Sequence, residues 1–242
     1  MMTQMASALA IFIPTAALAA VSPMEEKGGI YATTRVEGAG AGVDVFTERP
    51  TVKDVLYLPS LEGVWQCERE VIHVDGDTEQ AELTWISLGG TSLDAKKPRV
   101  TYLTRYINTT DGLILDRKFE VQSRQQEGTT VTWDSSLPDT LKYGSTELNV
   151  VQRKIEPPSE EGWGFDELVC ITGSAGGIFG DTRVVKVARV KRRYRRAYTS
   201  SGDRIIEGLE IMKTFRVLDG IAGELPTSTT KSRIQMTRPK ST

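Results

Sequence analysis

The chain is poor in the residues that carry most metal and thiol chemistry: one histidine and two cysteines among 242 residues. A structural zinc site needs about four nitrogen or sulfur ligands, so a protein-only site of that kind is not expected. Histidine acid–base chemistry would rest wholly on His73. An excess of one charge is missing too. Thirty Lys and Arg stand against 32 Asp and Glu, a net charge of −2. The whole molecule therefore has no electrostatic commitment to nucleic acid or to an anionic membrane, and any such binding must come from a local patch. No sustained helical period of useful length appears. What is present suits a folded chain: 39% hydrophobic and 26% charged residues supply a core and are too mixed for wholesale disorder. The length fits one domain with an N-terminal tail, or two small domains.

Residues 6–21 read ASALAIFIPTAALAAV. The stretch has the length of a signal h-region and is short for a membrane span. Ala17-Leu18-Ala19 gives the small-x-small pattern of a signal-peptidase site, with cleavage expected after Ala19. A basic n-region is absent, since no Lys or Arg precedes Lys27. The segment reads as a targeting or transfer segment of the kind that crosses into the thylakoid, or as a flexible Ala-rich tail. Export would make Cys67 and Cys170 a candidate disulfide; the alternative is two small buried hydrophobes.

Three regions follow: residues 1–20 as the targeting-type segment, 21–54 as an irregular Gly-containing arm or linker, and 55–242 as the folded domain. Residues 52–61 are expected to hold one short helical turn. Beyond it the pattern is β almost throughout. Expected strands are 63–74, 80–88, 99–108, 113–120, 129–134, 147–155, 165–172, 184–198, 204–218 and 231–237. Turn signals separate them at Asp75-Gly76-Asp77, Gly89-Gly90, Asp111-Gly112, Glu127-Gly128 and Tyr143-Gly144, and in the Gly-rich run 173–180. Strands in sequence order with short turns predict an all-β fold: an antiparallel up-and-down barrel preceded by an irregular arm. Closure into a barrel removes exposed edges; an open sandwich is the alternative.

Gly63-Val64-Trp65 at the start of the first strand resembles the first lipocalin motif. There the Trp plugs the closed end of the barrel, and a basic residue from near the chain's end packs on it. The resemblance implies a lipocalin/calycin-like barrel closed by Trp65 with Arg233 or Arg238. A longer resemblance spans residues 56–239. It is carried by Leu58-Pro59-Ser60-Leu61-Glu62-Gly63-Val64-Trp65, by Asp116-Arg117-Lys118-Phe119, by residues 207–217 (EGLEIMKTFRV) and by residues 226–232 (PTSTTKS). These stretches resemble an uncharacterised domain-of-unknown-function family of cyanobacterial and chloroplast proteins. The resemblance implies a photosynthetic organism and, in plastids, the thylakoid lumen. It implies no catalytic residues.

Among local features the basic run 189–196 is the strongest. On a strand, Arg189, Lys191, Arg193 and Arg195 share one face, a stripe about 20 Å long. Four like charges on one face repel and attract anions. Candidate contacts are an anionic thylakoid lipid, an acidic patch on a photosystem subunit, or nucleic acid. The plainer alternative is a solvated face neutralised by carboxylates such as Glu207 and Glu210. Tyr194 and Tyr198 are too sparse an aromatic interleaving for nucleic acid. Glu207 and Glu210 point to opposite faces of a strand, which weakens them, with Asp116, as a hydrolytic carboxylate pair. The Gly-rich run 173–180 lacks the Gly-Lys-Ser/Thr ending of a phosphate loop and reads as a loop at the barrel rim, a candidate lid. His73, beside Asp75 and Asp77, is with Asp75 a candidate metal-binding pair or base; a lone surface histidine is the plainer and commoner alternative.

The expected function is non-enzymatic: a thylakoid-lumen protein, or its cyanobacterial equivalent, that associates with a photosystem or the thylakoid membrane surface in assembly or stability. The alternative is a lipocalin-like carrier of a lipid, pigment or quinone, an apolar small-molecule ligand. No cofactor, metal or nucleic-acid partner is expected.

Overall fold

The structure is a computed structural model that describes residues 43–44, 53–125, 128–177, 180–218 and 221–239. The targeting-type segment and nearly all of the arm lie outside these residues. The described chain forms one antiparallel sheet of eleven strands and two short helices. The strands are β1 (Val43–Asp44), β2 (Gly63–Gly76), β3 (Arg99–Thr109), β4 (Gly112–Leu115), β5 (Val131–Trp133), β6 (Thr140–Tyr143), β7 (Thr146–Glu156), β8 (Trp163–Gly177), β9 (Gly180–Tyr198), β10 (Arg204–Leu218) and β11 (Ile221–Thr237). The helices are α1 (Thr78–Ser87) and α2 (Arg117–Gln122).

The order β4-β3-β2-β11-β10-β9-β8-β7-β6-β5 is an up-and-down meander curled into a half-barrel. Consecutive strands pair from β2 to β4 and from β5 to β11, and β2 also pairs with β11, joining the first barrel strand to the last. The ring has one break, between β4 and β5. Helix α2 spans it, packed against β3, β5 and β6. The arm contributes β1, which pairs with β11 at Val43↔Ala222.

Both helices correct expected strands. Residues 80–88 alternate as Ala81, Leu83, Trp85 against Glu82 and Thr84, which imitates a strand. Asp77, however, accepts a hydrogen bond from the Gln80 amide at 3.0 Å. It is a helix N-cap, one half of the Asp-x-x-Gln pattern that starts a helix. Residues 113–120 divide in the same way. After Leu115 the side chain of Asp116 accepts from the Phe119 amide at 2.9 Å and starts α2. Most of the Gly-rich run is strand and not loop, because β8 continues to Gly177 and β9 begins at Gly180; residues 178 and 179 lie outside the described residues. A strand at Thr140–Tyr143 was not foreseen. The expected helical turn is a 3-10 turn at Pro59–Leu61.

Inward-facing residues fall into layers. One apolar layer holds Trp65, Tyr106, Trp163, Phe165, Tyr194, Ile206 and Met236. A second holds Val71, Trp85, Val150, Val169, Val190 and Met212. Arg238 lies over the Trp65 ring at 4.0 Å and donates to the carbonyls of Val64 and Glu62. The Trp65 indole donates to the Leu61 carbonyl at 2.7 Å. Together these fasten the 3-10 turn over one end of the barrel. Arg233 is exposed and takes no part in this contact.

Cys67 and Cys170 are both buried and are not joined by a disulfide. Cys67 belongs to the inner face of β2. Cys170 lies on the outer face of β8, packed with Val187, and β11, β10 and β9 separate the two strands. The candidate disulfide is therefore corrected: the two thiols sit on opposite faces of one sheet. Burial pushes the Cys67 thiol up to about 11, leaving little thiolate to react at neutral pH. Neither cysteine should be labelled by a thiol reagent in the native protein, and both should be labelled in denaturant. A native mass two hydrogens short, restored by reductant, would contradict the placement.

Candidate functional site

Between the two apolar layers runs a layer of ions. On β2 the inward sequence is Trp65, Cys67, Arg69, Val71. On β10 it is Ile206, Gly208, Glu210, Met212. On β9 it is Tyr194, Arg192, Val190, and on β8 Phe165, Glu167, Val169. Each strand thus places one charge at the same level of the barrel. Gly208 makes room in this arrangement, since a Cβ there would meet the Tyr194 ring at 2.8 Å.

Glu210 is the centre. Its Oε1 accepts from Arg69 Nη2 and its Oε2 from Arg192 Nε, each at 2.6 Å. Arg69 also donates to the Leu88 carbonyl at 3.1 Å and stacks on the Trp85 ring at 4.4 Å. Any side chain at Gly90 would collide with that indole, so the turn after α1 holds the stack in place. Helix α2 and its exit deliver Arg117, Glu120 and Arg124 to the same region. Glu120 accepts from Thr104 at 2.9 Å and from Arg124 at 3.0 Å. Arg124 also lies over the Tyr102 ring. Arg117 donates to Asp54 at 2.7 Å and stands 3.6 Å from Glu167, which accepts from Arg153 at 2.6 Å.

Burial alone would raise the Glu210 carboxyl. The Arg69 and Arg192 guanidiniums outweigh it and hold the carboxyl down at about 2. Glu167 is likewise depressed, with burial overcome by Arg117 and Arg153. Both remain ionised at neutral pH.

A cavity of about 80 Å³ opens beneath α2, beside the break in the ring. Arg117, Glu120, Arg124, Glu167 and Arg192 line it, with Asp139 from the β5–β6 turn. Its apolar wall includes Leu141, Leu148, Val150, Val169 and Val190. Tyr143 donates its hydroxyl to the Ser87 carbonyl at one side. Among the described residues no cluster of His, Cys, Asp or Glu is disposed to hold a metal ion, and no helix is long and apolar enough to cross a membrane.

The basic stripe occupies the outer face of β9 as a ladder of ion pairs. Arg189 meets Asp166 at 2.7 Å, Arg193 meets Glu156 at 3.1 Å, and Arg195 meets Glu207 at 2.7 Å. Lys191 shares this face. Glu207, Glu210 and Asp116 do not converge: Glu207 is outside with Arg195, Glu210 is in the interior triad, and Asp116 caps α2 while pairing with Arg105 at 2.5 Å. His73 is exposed on β2.

Residues 51–240 match a family described as a domain of unknown function, DUF6816. The chain belongs to this family. Comparison with curated proteins and with solved structures finds no match. The match covers every barrel strand and both helices, so the polar layer and the cavity lie within the family's domain.

The sequence reading passed over the polar layer. The signal for it was a charge standing in an apolar register, as Arg69 stands between Cys67 and Val71, or Glu167 between Phe165 and Val169. Replacing Glu210 by Gln strands two buried guanidiniums, and removing one partner of such a pair costs about 3–5 kcal/mol. The loss should appear in urea unfolding at neutral pH. A carboxyl depressed in the folded state stabilises fully above its unfolded value, and that contribution is lost as pH falls toward the folded one. Wild-type stability should therefore drop between about pH 4.5 and about 2, and Glu210→Gln should show a flatter acid limb. Equal acid limbs would show that Glu210 is not the group responsible.

Proposed function

We propose that the domain binds a small ligand in the cavity beneath α2 and does not transform it. One observation carries this reading: the interior carboxylates that line or adjoin the cavity are committed to guanidiniums, while the cavity keeps an apolar wall. Glu210 is shared by Arg69 and Arg192, Glu120 by Arg124 and Thr104, and Glu167 is held by Arg153. General acid–base work requires a carboxyl poised near the operating pH. Glu210 and Glu167 are moved away from it. The arrangement suits holding and orienting.

Cavity size supports a narrower version of the carrier idea. Sites for drug-sized ligands span roughly 300–1,000 Å³, and this one encloses about 80 Å³. A tetrapyrrole or a lipid chain is too large for it; a compact organic molecule is the appropriate scale. A lumenal location and a photosystem partner remain a proposal resting on the sequence resemblance. If such a partner exists, the paired state of Arg189, Arg193 and Arg195 favours contact through other residues.

The test is native mass spectrometry of the protein isolated gently from its native source. We expect an adduct of small mass at unit stoichiometry. It should be lost in a Val169→Phe variant, which fills the cavity from its apolar wall. Photosystem subunits at fixed stoichiometry, with no small adduct, would replace this reading with the assembly role.

A further inference from the structure

One guanidinium of the polar layer specifies the ligand. Among the described residues, the guanidiniums of Arg69, Arg117, Arg124, Arg153 and Arg192 face the carboxylates of Asp54, Glu120, Glu167 and Glu210. Asp139, in the β5–β6 turn, is half-buried, so water screens its charge more than those of the interior groups.

Arg192 is tied through Nε alone, to Glu210. Neither terminal nitrogen has a hydrogen-bond partner among the described residues, and neither is among the buried polar atoms lacking one. The Arg192 side chain keeps 14% exposure, and Arg192 lines the cavity. With Nε fixed, the two terminal N–H groups are the part left to face the open space. Glu210 is itself fixed by Arg69, so the fork is held rigidly. A planar guanidinium presenting two parallel donors matches a carboxylate. Beside it stand Val150, Val169 and Val190, which suit an apolar body and not a fully hydrated ion.

We propose that the cavity binds a small organic monocarboxylate, its carboxylate on the terminal nitrogens of Arg192 and its apolar part against Val150, Val169 and Val190. This rests on the ligand-binding reading above and names the ligand's class. One two-donor fork, with the carboxylates of Glu167 and Asp139 also on the lining, favours a monoanion over a phosphate dianion.

The test uses the full chain and commercial probes. Thermal shift and calorimetry would compare butyrate and benzoate with butyramide and benzamide, which have the same shape and no charge, and with inorganic phosphate and sulfate. The carboxylates should bind at least tenfold more tightly than their amides. Arg192→Lys, which retains the charge and loses the fork, should weaken them by a similar factor, and Asp139→Asn should tighten them. The comparison of acids with amides needs no variant, so it stands even if a substitution prevents folding. Equal binding of acids and amides would overturn the carboxylate while leaving the ligand site intact. Binding of phosphate or sulfate in preference to the carboxylates would overturn the monoanion assignment. No binding of acids or amides would overturn both the class and the site.

Discussion

Everything inside the barrel is arranged around one buried carboxylate held by two guanidiniums. Glu210 on β10 meets Arg69 on β2 and Arg192 on β9. Charges removed from water are expensive, and a buried ion network often stabilises no better than an apolar replacement of equal volume. Its value here is positional. A one-residue slip of a strand turns every side chain to the opposite face. Slipping β9 or β10 would place a charge in an apolar layer or on the outer face, and a valine in the ionic one. The triad therefore pins the register of the four consecutive strands β2, β11, β10 and β9 in a way that interchangeable apolar contacts would not.

The same layer explains why the ring breaks where it does. Between β4 and β5 the chain makes α2 in place of a paired strand. The helix starts because Asp116 caps it, and the next residue, Arg117, turns to Asp54 and Glu167. Glu120 and Arg124 then satisfy each other within the barrel. A strand would present alternate residues at about 3.3 Å spacing to a single interior face. A helix brings positions three and four apart onto one side, which lets 117, 120 and 124 reach inward together. The cavity is the space left beneath this substitution. Its polar residues come largely from α2 and its exit, and its apolar ones from β6–β9.

Much of the fold was legible in the sequence. The alternation along β2, β3, β7 and β10 was strong, the turn glycines stood between strands, and Gly63-Val64-Trp65 indicated the closed end that Arg238 covers. Both helices were missed for one physical reason. Each is short, and each begins at an aspartate that reads equally well as a turn residue. Asp77 sits in an Asp-Gly-Asp turn, and Asp116 follows a strand. Only the amide three residues on decides between cap and turn, and composition does not reveal it. The Gly-rich run failed in the opposite sense: glycine is permissive, and two paired strands extend into it as far as Gly177 and from Gly180. The polar layer was hidden because a charge within a strand is ordinarily assigned to the solvent face. Arg192 was seen as part of a basic run, when its parity sets it apart from its neighbours and turns it inward.

The stretches that carry the family resemblance bear on what the domain is for. In residues 58–65 the 3-10 turn and Trp65 form the closed end. In 116–119 the aspartate caps α2 and Arg117 enters the ionic network. In 207–217 Gly208 clears space for Tyr194 and Glu210 centres the triad. In 226–232 the buried hydroxyls of Ser228, Thr230 and Ser232 supply small side chains on β11, against which α1 packs. A domain recognised mainly through a docking surface would show its distinctive residues outside. In these stretches several residues point inward, and some of them act on the same layer of charge. That distribution supports the proposed reading, in which a ligand is met in the cavity and not on the outer basic ladder.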